Sequence, residues 1–247
     1  GRFLFAFIVF ISAAAVLRPR LHRPALVMHA SRSALGWGGV TLMFAAASFI
    51  SLADATAISF LNPVFAMILA IPLLGEKVGA RRWTTAAIAF VGAMILMRPG
   101  SGALHTGALL ALMAAVLMGA ELILIKILSG REAPLQILLV NNSFGLILAS
   151  CAVLFVWHPP TLAQWAALAG IGCLMALAQT CYVNAMARAE ASFVAPFSYT
   201  TLVFAALYDT LVFGTILDTV SLIGAGTILL GAVLLALRER QLKKADP

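Results

Sequence analysis

Two carboxylate side chains lie deep within long apolar stretches of the sequence. Glu121 is in the stretch 106–128, and Asp209 is in the stretch 190–216. A charged group surrounded by apolar side chains or lipid is costly, so it usually has a function. Each carboxylate is expected either to bind a proton or a charged small molecule, or to form a hydrogen bond that joins two helices.

An asparagine–proline pair, Asn62-Pro63, lies in the middle of another apolar stretch, 54–75. Proline has no N–H group, so a helix that contains Pro63 leaves the carbonyl group of Ser59 without its usual partner. Asn62 adds an amide that an apolar environment does not solvate. The pair predicts either a packed kink, in which Asn62 bonds to nearby backbone, or an interrupted helix that lines a cavity.

Polar and aromatic side chains recur in the later apolar stretches. Gln179 and Tyr182 are three residues apart, so they share one face of a helix. We expect them to line a cavity with a few polar groups in an apolar wall, together with Tyr199. The alternative is that these groups join neighbouring helices by hydrogen bonds. The same two alternatives apply to Asn141-Asn142. Four rings would suit a planar or apolar molecule by stacking: Phe65, Tyr182, Tyr199 and Tyr208.

The residue patterns that enzymes and metal sites need are missing from the sequence. The acidic residues form no close carboxylate pair, and neither an HExxH pattern nor a phosphate-binding glycine loop occurs. The cysteines lie in apolar stretches without a CxxC pattern, and the histidines are placed in connections: Cys151, Cys173, Cys181, His22, His29, His105 and His158. We therefore expect no catalytic residue, no bound metal and no cofactor.

The amino-acid composition indicates the kind of environment in which the polar residues described above lie. Of the 247 residues, 63% are apolar and 10% are charged, and the mean hydropathy is +1.06. The surface of a water-soluble protein does not accommodate such a composition. A helix needs about 20 apolar residues to cross a bilayer, and lipid gives the backbone no hydrogen-bond partners. The sequence therefore predicts an all-α polytopic membrane protein.

The apolar stretches between polar breaks predict nine helices, at 2–17, 34–53, 54–75, 82–98, 106–128, 134–157, 162–187, 190–216 and 219–238. The first stretch also has the composition of a signal peptide. An internal repeat explains it better as a transmembrane helix.

The repeat has an offset of 139 residues, at which Gly75 corresponds to Gly214 and Gly92 to Gly231. We expect a first repeat at 1–100, a second at 101–240 and a tail at 241–247. The second half has five helices, and the first has four that match the last four of the second. The sequence therefore predicts ten helices, one of them before Gly1. Repeats of five helices have opposite orientations in the membrane.

The basic residues predict the orientation. If alternate connections face the cytoplasm, these connections and the C-terminal tail hold 14 of the 16 lysines and arginines. The C-terminus is therefore expected in the cytoplasm. The net charge of +7 reflects this distribution and gives no reason to expect a nucleic-acid partner.

Several short segments occur in an order that is similar to a known family. They are Asn62-Pro63-Val64-Phe65-Ala66, Leu74-Gly75-Glu76-Lys77, Val91-Gly92-Ala93, Ala191-Ser192-Phe193-Val194-Ala195-Pro196, Leu202-Val203-Phe204-Ala205, Phe213-Gly214 and Gly231-Ala232. In this order the sequence resembles the EamA-type carriers of the drug/metabolite transporter superfamily.

The resemblance implies ten helices in two inverted five-helix repeats and secondary transport by alternating access across a bacterial inner membrane. The expected function is export of small metabolites such as amino acids, with riboflavin-like or nucleotide-derived metabolites as alternative substrates. The partners would be this substrate and the lipid bilayer, with the protein as a monomer. An intramembrane enzyme and a membrane scaffold without transport are the alternative functions.

Two positions depart from the family pattern. The family usually has a glutamate after the glycine of the second half, where this sequence has Thr215, and a small residue where it has Asp209. The missing glutamate indicates that Glu76, its counterpart in the first half, is structural. Its expected partner is Lys77 or Arg81.

Overall fold

The computed structural model describes residues 1–18, 23–97, 106–154, 159–214 and 219–245. The structure is 87% helix, and no strand occurs among these residues. The prediction of an all-α polytopic membrane protein is confirmed.

Eleven α-helices and one 3-10 helix lie within the described ranges. They are α1 (Arg2–Leu17), α2 (Leu26–Ala46), α3 (Leu52–Ser59), α4 (Asn62–Leu74), α5 (Ala80–Met97), α6 (Thr106–Ser129), α7 (Pro134–Val153), α8 (Leu162–Arg188), α9 (Ala191–Val194), the 3-10 helix Ala195–Tyr199, α10 (Thr200–Phe213) and α11 (Thr219–Ala245).

The nine predicted helices correspond to nine helical segments of this part of the chain. Two segments are interrupted: a turn at residues 60–61 separates α3 from α4, and the 3-10 helix separates α9 from α10. Both interruptions lie beside a proline, Pro63 or Pro196. Proline cannot donate the backbone hydrogen bond that a continuous helix requires.

The predicted boundaries of one helix were wrong. The helix predicted at 34–53 is α2, which begins at Leu26 and ends at Ala46. Hydropathy placed its start after His29 and Arg32, but both side chains are buried within the helix. Polar residues that find partners inside the protein do not end a helix.

Six segments of the described chain are long and apolar enough to cross a membrane: Asp54–Leu74, Thr106–Ser129, Pro134–Cys151, Leu162–Arg188, Ala191–Val212 and Thr219–Leu237. Arg2–Leu17 is a shorter apolar helix.

The chain divides into two compact units. Unit 1 comprises Gly1–Ala34 and Leu124–Ala189, and α1 packs there against α7 and α8. A Cβ atom on Gly172 would overlap the Cβ atom of Phe5, so α1 and α8 approach closely at this glycine. The rings of Phe5 and Trp165 meet edge to face, with 6.1 Å between their centroids.

Unit 2 comprises Leu35–Ile123 and Glu190–Pro247, and α5 packs there against α11. A Cβ atom on Gly92 would lie 2.7 Å from the backbone nitrogen of Ile228, and one on Gly231 would lie 2.8 Å from that of Ala89. Gly92 and Gly231 are equivalent in the sequence repeat. Close approach at small residues is how helices commonly pack in membranes.

Each compact unit contains segments of both predicted repeats. The compact units therefore differ from the repeats 1–100 and 101–240, whose boundaries stay a prediction.

Candidate functional site

The asparagine–proline pair stands at the first interruption, in unit 2. The side-chain nitrogen Nδ2 of Asn62 donates a hydrogen bond to the backbone oxygen of Ser59 at 2.9 Å. In an unbroken helix this oxygen would accept from residue 63, which is a proline. The amide of Asn62 thus supplies the hydrogen bond that Pro63 cannot make. This bond belongs to the packed kink, and a role of Asn62 and Pro63 in lining a cavity stays a prediction.

Helix α6 lies directly against this interruption. A Cβ atom on Gly119 would lie 2.9 Å from the backbone oxygen of Asn62, 2.9 Å from the Cβ atom of Phe65 and 3.0 Å from the backbone nitrogen of Ala66. Only a residue without a side chain fits there. Phe65, predicted to line a cavity, is half-buried at this helix contact.

The carboxylate of Glu121 lies on the same helix, beside α2. A Cβ atom on Gly36 would lie 2.8 Å from the Oε2 atom of Glu121. Gly36 therefore leaves room for the carboxylate against the backbone of α2. The sequence identified Glu121 as unusual but gave no sign of Gly36, because a glycine in an apolar stretch resembles any other packing residue.

An aromatic cluster joins the two interrupted segments of unit 2. The ring of Tyr199 stacks on Phe60 with 6.2 Å between the centroids, and Phe90 lies 6.0 Å from it on another side. Positions 60 and 199 are equivalent in the sequence repeat. Tyr199 is 0% exposed, and its hydroxyl group has no hydrogen-bond partner among the described residues. Tyr199 therefore lies in the core of unit 2 in this conformation.

Glu76 has different partners from those expected. Its carboxylate accepts hydrogen bonds from the backbone N–H groups of Ala191 and Ser192, at 2.7 and 2.9 Å. The prediction that Glu76 pairs with Lys77 or Arg81 is therefore wrong. Gly75 adopts a left-handed conformation with φ 68° and turns the chain out of α4 just before Glu76. The first N–H groups of a helix lack helical partners and attract negative charge, which Glu76 provides.

Arg82 completes this junction. It donates to the hydroxyl oxygen of Ser192 at 2.9 Å and pairs with the carboxylate of Glu190. The hairpin between α4 and α5 is thus bound to the start of α9 by both an acid and a base.

Two other predicted residues lie on α10. Tyr208 is 59% exposed. Asp209 follows it, and its side chain lies outside the described part of the structure. The substrate or coupling role predicted for Asp209 stays a prediction.

The amide residues of unit 1 form a pair between α7 and α8. Nδ2 of Asn142 donates to the Oε1 atom of Gln179 at 2.8 Å and to the backbone oxygen of Leu138 at 2.9 Å. Asn142 is 0% exposed, and its Oδ1 atom has no hydrogen-bond partner in the described chain. Gln179 and Tyr182, one turn apart on α8, are half-buried. The structure thus joins Asn142 to Gln179, and Tyr182 follows Gln179 by one turn of α8.

A second polar cluster of unit 1 was not predicted. The carboxylate of Glu132 accepts from the backbone nitrogen of Ala25 at 2.7 Å, from Nε2 of His29 at 3.0 Å and from Nε2 of Gln136 at 2.9 Å. Burial raises the pKa of Glu132, but the hydrogen bonds from Ala25, His29 and Gln136 and the charge of His29 outweigh it, so the pKa is below its usual value.

The prediction that His29 lies in a connection is wrong, because His29 lies in α2 and is 1% exposed. His22, His105 and His158 lie outside the described residues. No group of three histidine, cysteine or acidic side chains is placed to hold a metal ion in the described ranges.

Apolar helices of membrane length, two of them interrupted, define a multi-pass membrane protein. The EamA-like transporter family matches residues 1–98 and 105–237. The chain therefore belongs to this family.

Curated relatives include transporters of different substrates. The chain is 34% identical to a riboflavin transporter of Rhizobium johnstonii over 79% of its length and 32% identical to one of Vibrio cholerae over 75%. It is 27% identical to an S-adenosylmethionine uptake transporter of Rickettsia bellii over 73%. It spans 64%, 63% and 62% of the length of these relatives.

A solved crystal structure has the same fold. It superposes with a TM-score of 0.79, covering 98% of this chain and 86% of the other, at 20% sequence identity. This similarity concerns the fold alone.

Proposed function

We propose that the protein carries riboflavin, or a flavin closely related to it, across the bacterial inner membrane. The observation that carries the proposal is the 34% and 32% identity to two riboflavin transporters, against 27% for the S-adenosylmethionine transporter. The proposal replaces amino-acid export, the substrate first expected from the family resemblance.

The amide pair of unit 1 supports this proposal. Riboflavin has a planar, uncharged ring system with carbonyl groups and one N–H group along its edge. Asn142 and Gln179 offer amide groups for such an edge, and the ring of Tyr182 lies one turn from Gln179. Aromatic side chains bind planar rings by stacking, so Tyr182 suits the face of the ring system.

The carboxylate of Glu121 supports the mechanism that we propose. Alternating access needs an energy source, and an intramembrane carboxylate is a common proton carrier. Gly36 lets this carboxylate pack directly against the backbone of α2. Glu121 would bind a proton in one orientation of the carrier and release it in the other. The C-terminus would face the cytoplasm, and the protein would act as a monomer.

Growth of a bacterial riboflavin auxotroph tests the proposal. Cells that produce the protein should grow at riboflavin concentrations too low for cells without it, and should accumulate labelled riboflavin faster. Cells loaded with labelled riboflavin test the opposite direction, because an exporter would speed its loss. The proposal is wrong if correctly inserted protein changes neither flux while a labelled amino acid or S-adenosylmethionine is transported.

A further inference from the structure

We infer that Asn142 and Gln179 form hydrogen bonds with the edge of the substrate ring and so determine which flavins the carrier accepts. This inference rests on the proposed function. Gln179 would donate from Nε2 to a ring carbonyl oxygen. Asn142 would hold Gln179 in place and accept the ring N–H at Oδ1.

The hydrogen bonds of Asn142 give the first argument. Both hydrogens of its amide nitrogen are used, one by Leu138 and one by Gln179. Its oxygen Oδ1 is buried without a partner in the described chain. A buried carbonyl oxygen without a donor costs free energy, and a bond between helices needs only the N–H side of this amide. The unused oxygen therefore points to a donor that comes from a ligand.

The orientation of Gln179 gives the second argument. Its oxygen Oε1 accepts from Asn142, so this hydrogen bond leaves the amide nitrogen Nε2 of Gln179 unused. Gln179 is half-buried, which leaves part of the side chain accessible. The pair thus combines a donor, Nε2 of Gln179, with an acceptor, Oδ1 of Asn142.

The flavin edge carries the complementary groups. Its imide has a ring N–H group between two carbonyl groups, so one donor and one acceptor of the protein match neighbouring atoms of the ring. Because Oδ1 of Asn142 is buried in this conformation, the inference requires its bond to the ring N–H to form in a conformation that is open to the substrate. A site built to bond a polar group rejects the analogue that lacks it.

The test compares riboflavin with 3-methylriboflavin, in which a methyl group replaces the hydrogen of the ring N–H. The wild-type carrier should have a KM for the methylated flavin that is about tenfold higher or more, because Asn142 Oδ1 loses its donor. Equal KM values for the two flavins would overturn the inference and leave riboflavin transport intact. Absence of any flavin transport would instead overturn the proposed function.

Two variants test whether Gln179 and Asn142 cause the preference for riboflavin over 3-methylriboflavin. Gln179→Met and Asn142→Leu should each transport riboflavin poorly and reduce the preference over the methylated flavin to less than about twofold. The double variant should not recover this preference, whereas recovery of riboflavin transport with the wild-type preference would overturn the inference. Size-exclusion chromatography selects the variants that fold. If a variant does not fold, the comparison of the two flavins on the wild-type carrier still tests the inference.

Asn184 offers a matched control on α8. Its amide nitrogen donates to the backbone oxygen of Thr180 at 2.9 Å, as that of Asn142 does to Leu138. The described structure gives it no bond to a second helix. Asn184→Leu should keep the full preference for riboflavin over 3-methylriboflavin. Loss of the preference in this variant would contradict a specific role of the pair.

Discussion

The two interrupted segments of unit 2 occupy equivalent positions in the sequence repeat but satisfy their polar groups differently. In the first, Ser51 caps α3, with its hydroxyl oxygen accepting from the backbone nitrogen of Asp54 at 3.0 Å. Asn62 then supplies the bond to Ser59. Each of these two hydrogen bonds joins residues that are three positions apart along the chain.

The second segment depends on a distant part of the chain. Glu190 is the N-cap residue of α9 and makes no side-chain capping bond. Instead, the carboxylate of Glu76 accepts hydrogen bonds from the backbone N–H groups of Ala191 and Ser192. The repeat therefore preserves the backbone course, while the hydrogen bonds that stabilise it have diverged. The capping bonds described for the first segment are local, and those of the second bind the hairpin after α4 to the start of α9.

Removal of Glu76 should give the largest loss of stability. Glu76→Ala leaves two buried N–H groups without an acceptor, which should cost about 3 kcal/mol of unfolding free energy. The matched change in the first segment, Ser51→Ala, removes a local cap and should cost about 1 kcal/mol. Unfolding of the purified variants in detergent measures both. Equal losses would contradict the contrast between a distant and a local cap.

Gly92 of α5 and Gly231 of α11 occupy equivalent positions in the repeat, and each allows the two helices to approach closely. Gly92→Ala and Gly231→Ala each add a Cβ atom against the backbone of the facing helix. Each should therefore lose about 2 kcal/mol of stability. Gly226→Ala is the control on α11, because nothing lies within 4 Å of the added atom. Unfolding in detergent should show this control to be as stable as the wild type or up to about 1 kcal/mol more stable, because alanine favours the helix. A similar loss in all three variants would refute the packing argument.

The smallest effect is expected at Asn62. Asn62→Ala removes the bond to the Ser59 carbonyl and should cost about 1 kcal/mol. In the double variant Asn62→Ala/Pro63→Ala, the new N–H group at position 63 can make the ordinary helical bond to Ser59. The double variant should thus be more stable than Asn62→Ala when both are unfolded in detergent. A double variant that is less stable would show that Asn62 does not act as a substitute donor.

Local features of the fold could be predicted from the sequence. Hydropathy located nine helices, and Pro63 located an interruption, because a missing N–H group acts on the residues next to it. The repeat placed Gly75 and Gly214 at equivalent helix ends, where they have φ 68° and 67°. These are properties of short segments, which a sequence shows directly.

Contacts between distant segments could not be predicted. Glu76 was correctly described as structural, but its partners lie 115 and 116 residues away. The sequence places His29 outside a helix because a polar residue lowers the local hydropathy. The sequence does not show that the partner of His29 is Glu132, 103 residues away. Asn142 and Gln179 were each considered for a cavity or a helix contact, and only the fold brings them to one another. Periodicity holds no information on which helices are neighbours.

Riboflavin transport by purified protein in liposomes tests the central proposal most directly. Liposomes loaded with unlabelled riboflavin should take up external labelled riboflavin, in either orientation of the inserted carrier, and unlabelled riboflavin outside should compete. Glu121→Gln should keep this exchange but lose uptake driven by a pH gradient, because exchange needs no net proton movement. Liposomes that hold folded protein and show no riboflavin exchange would contradict the account.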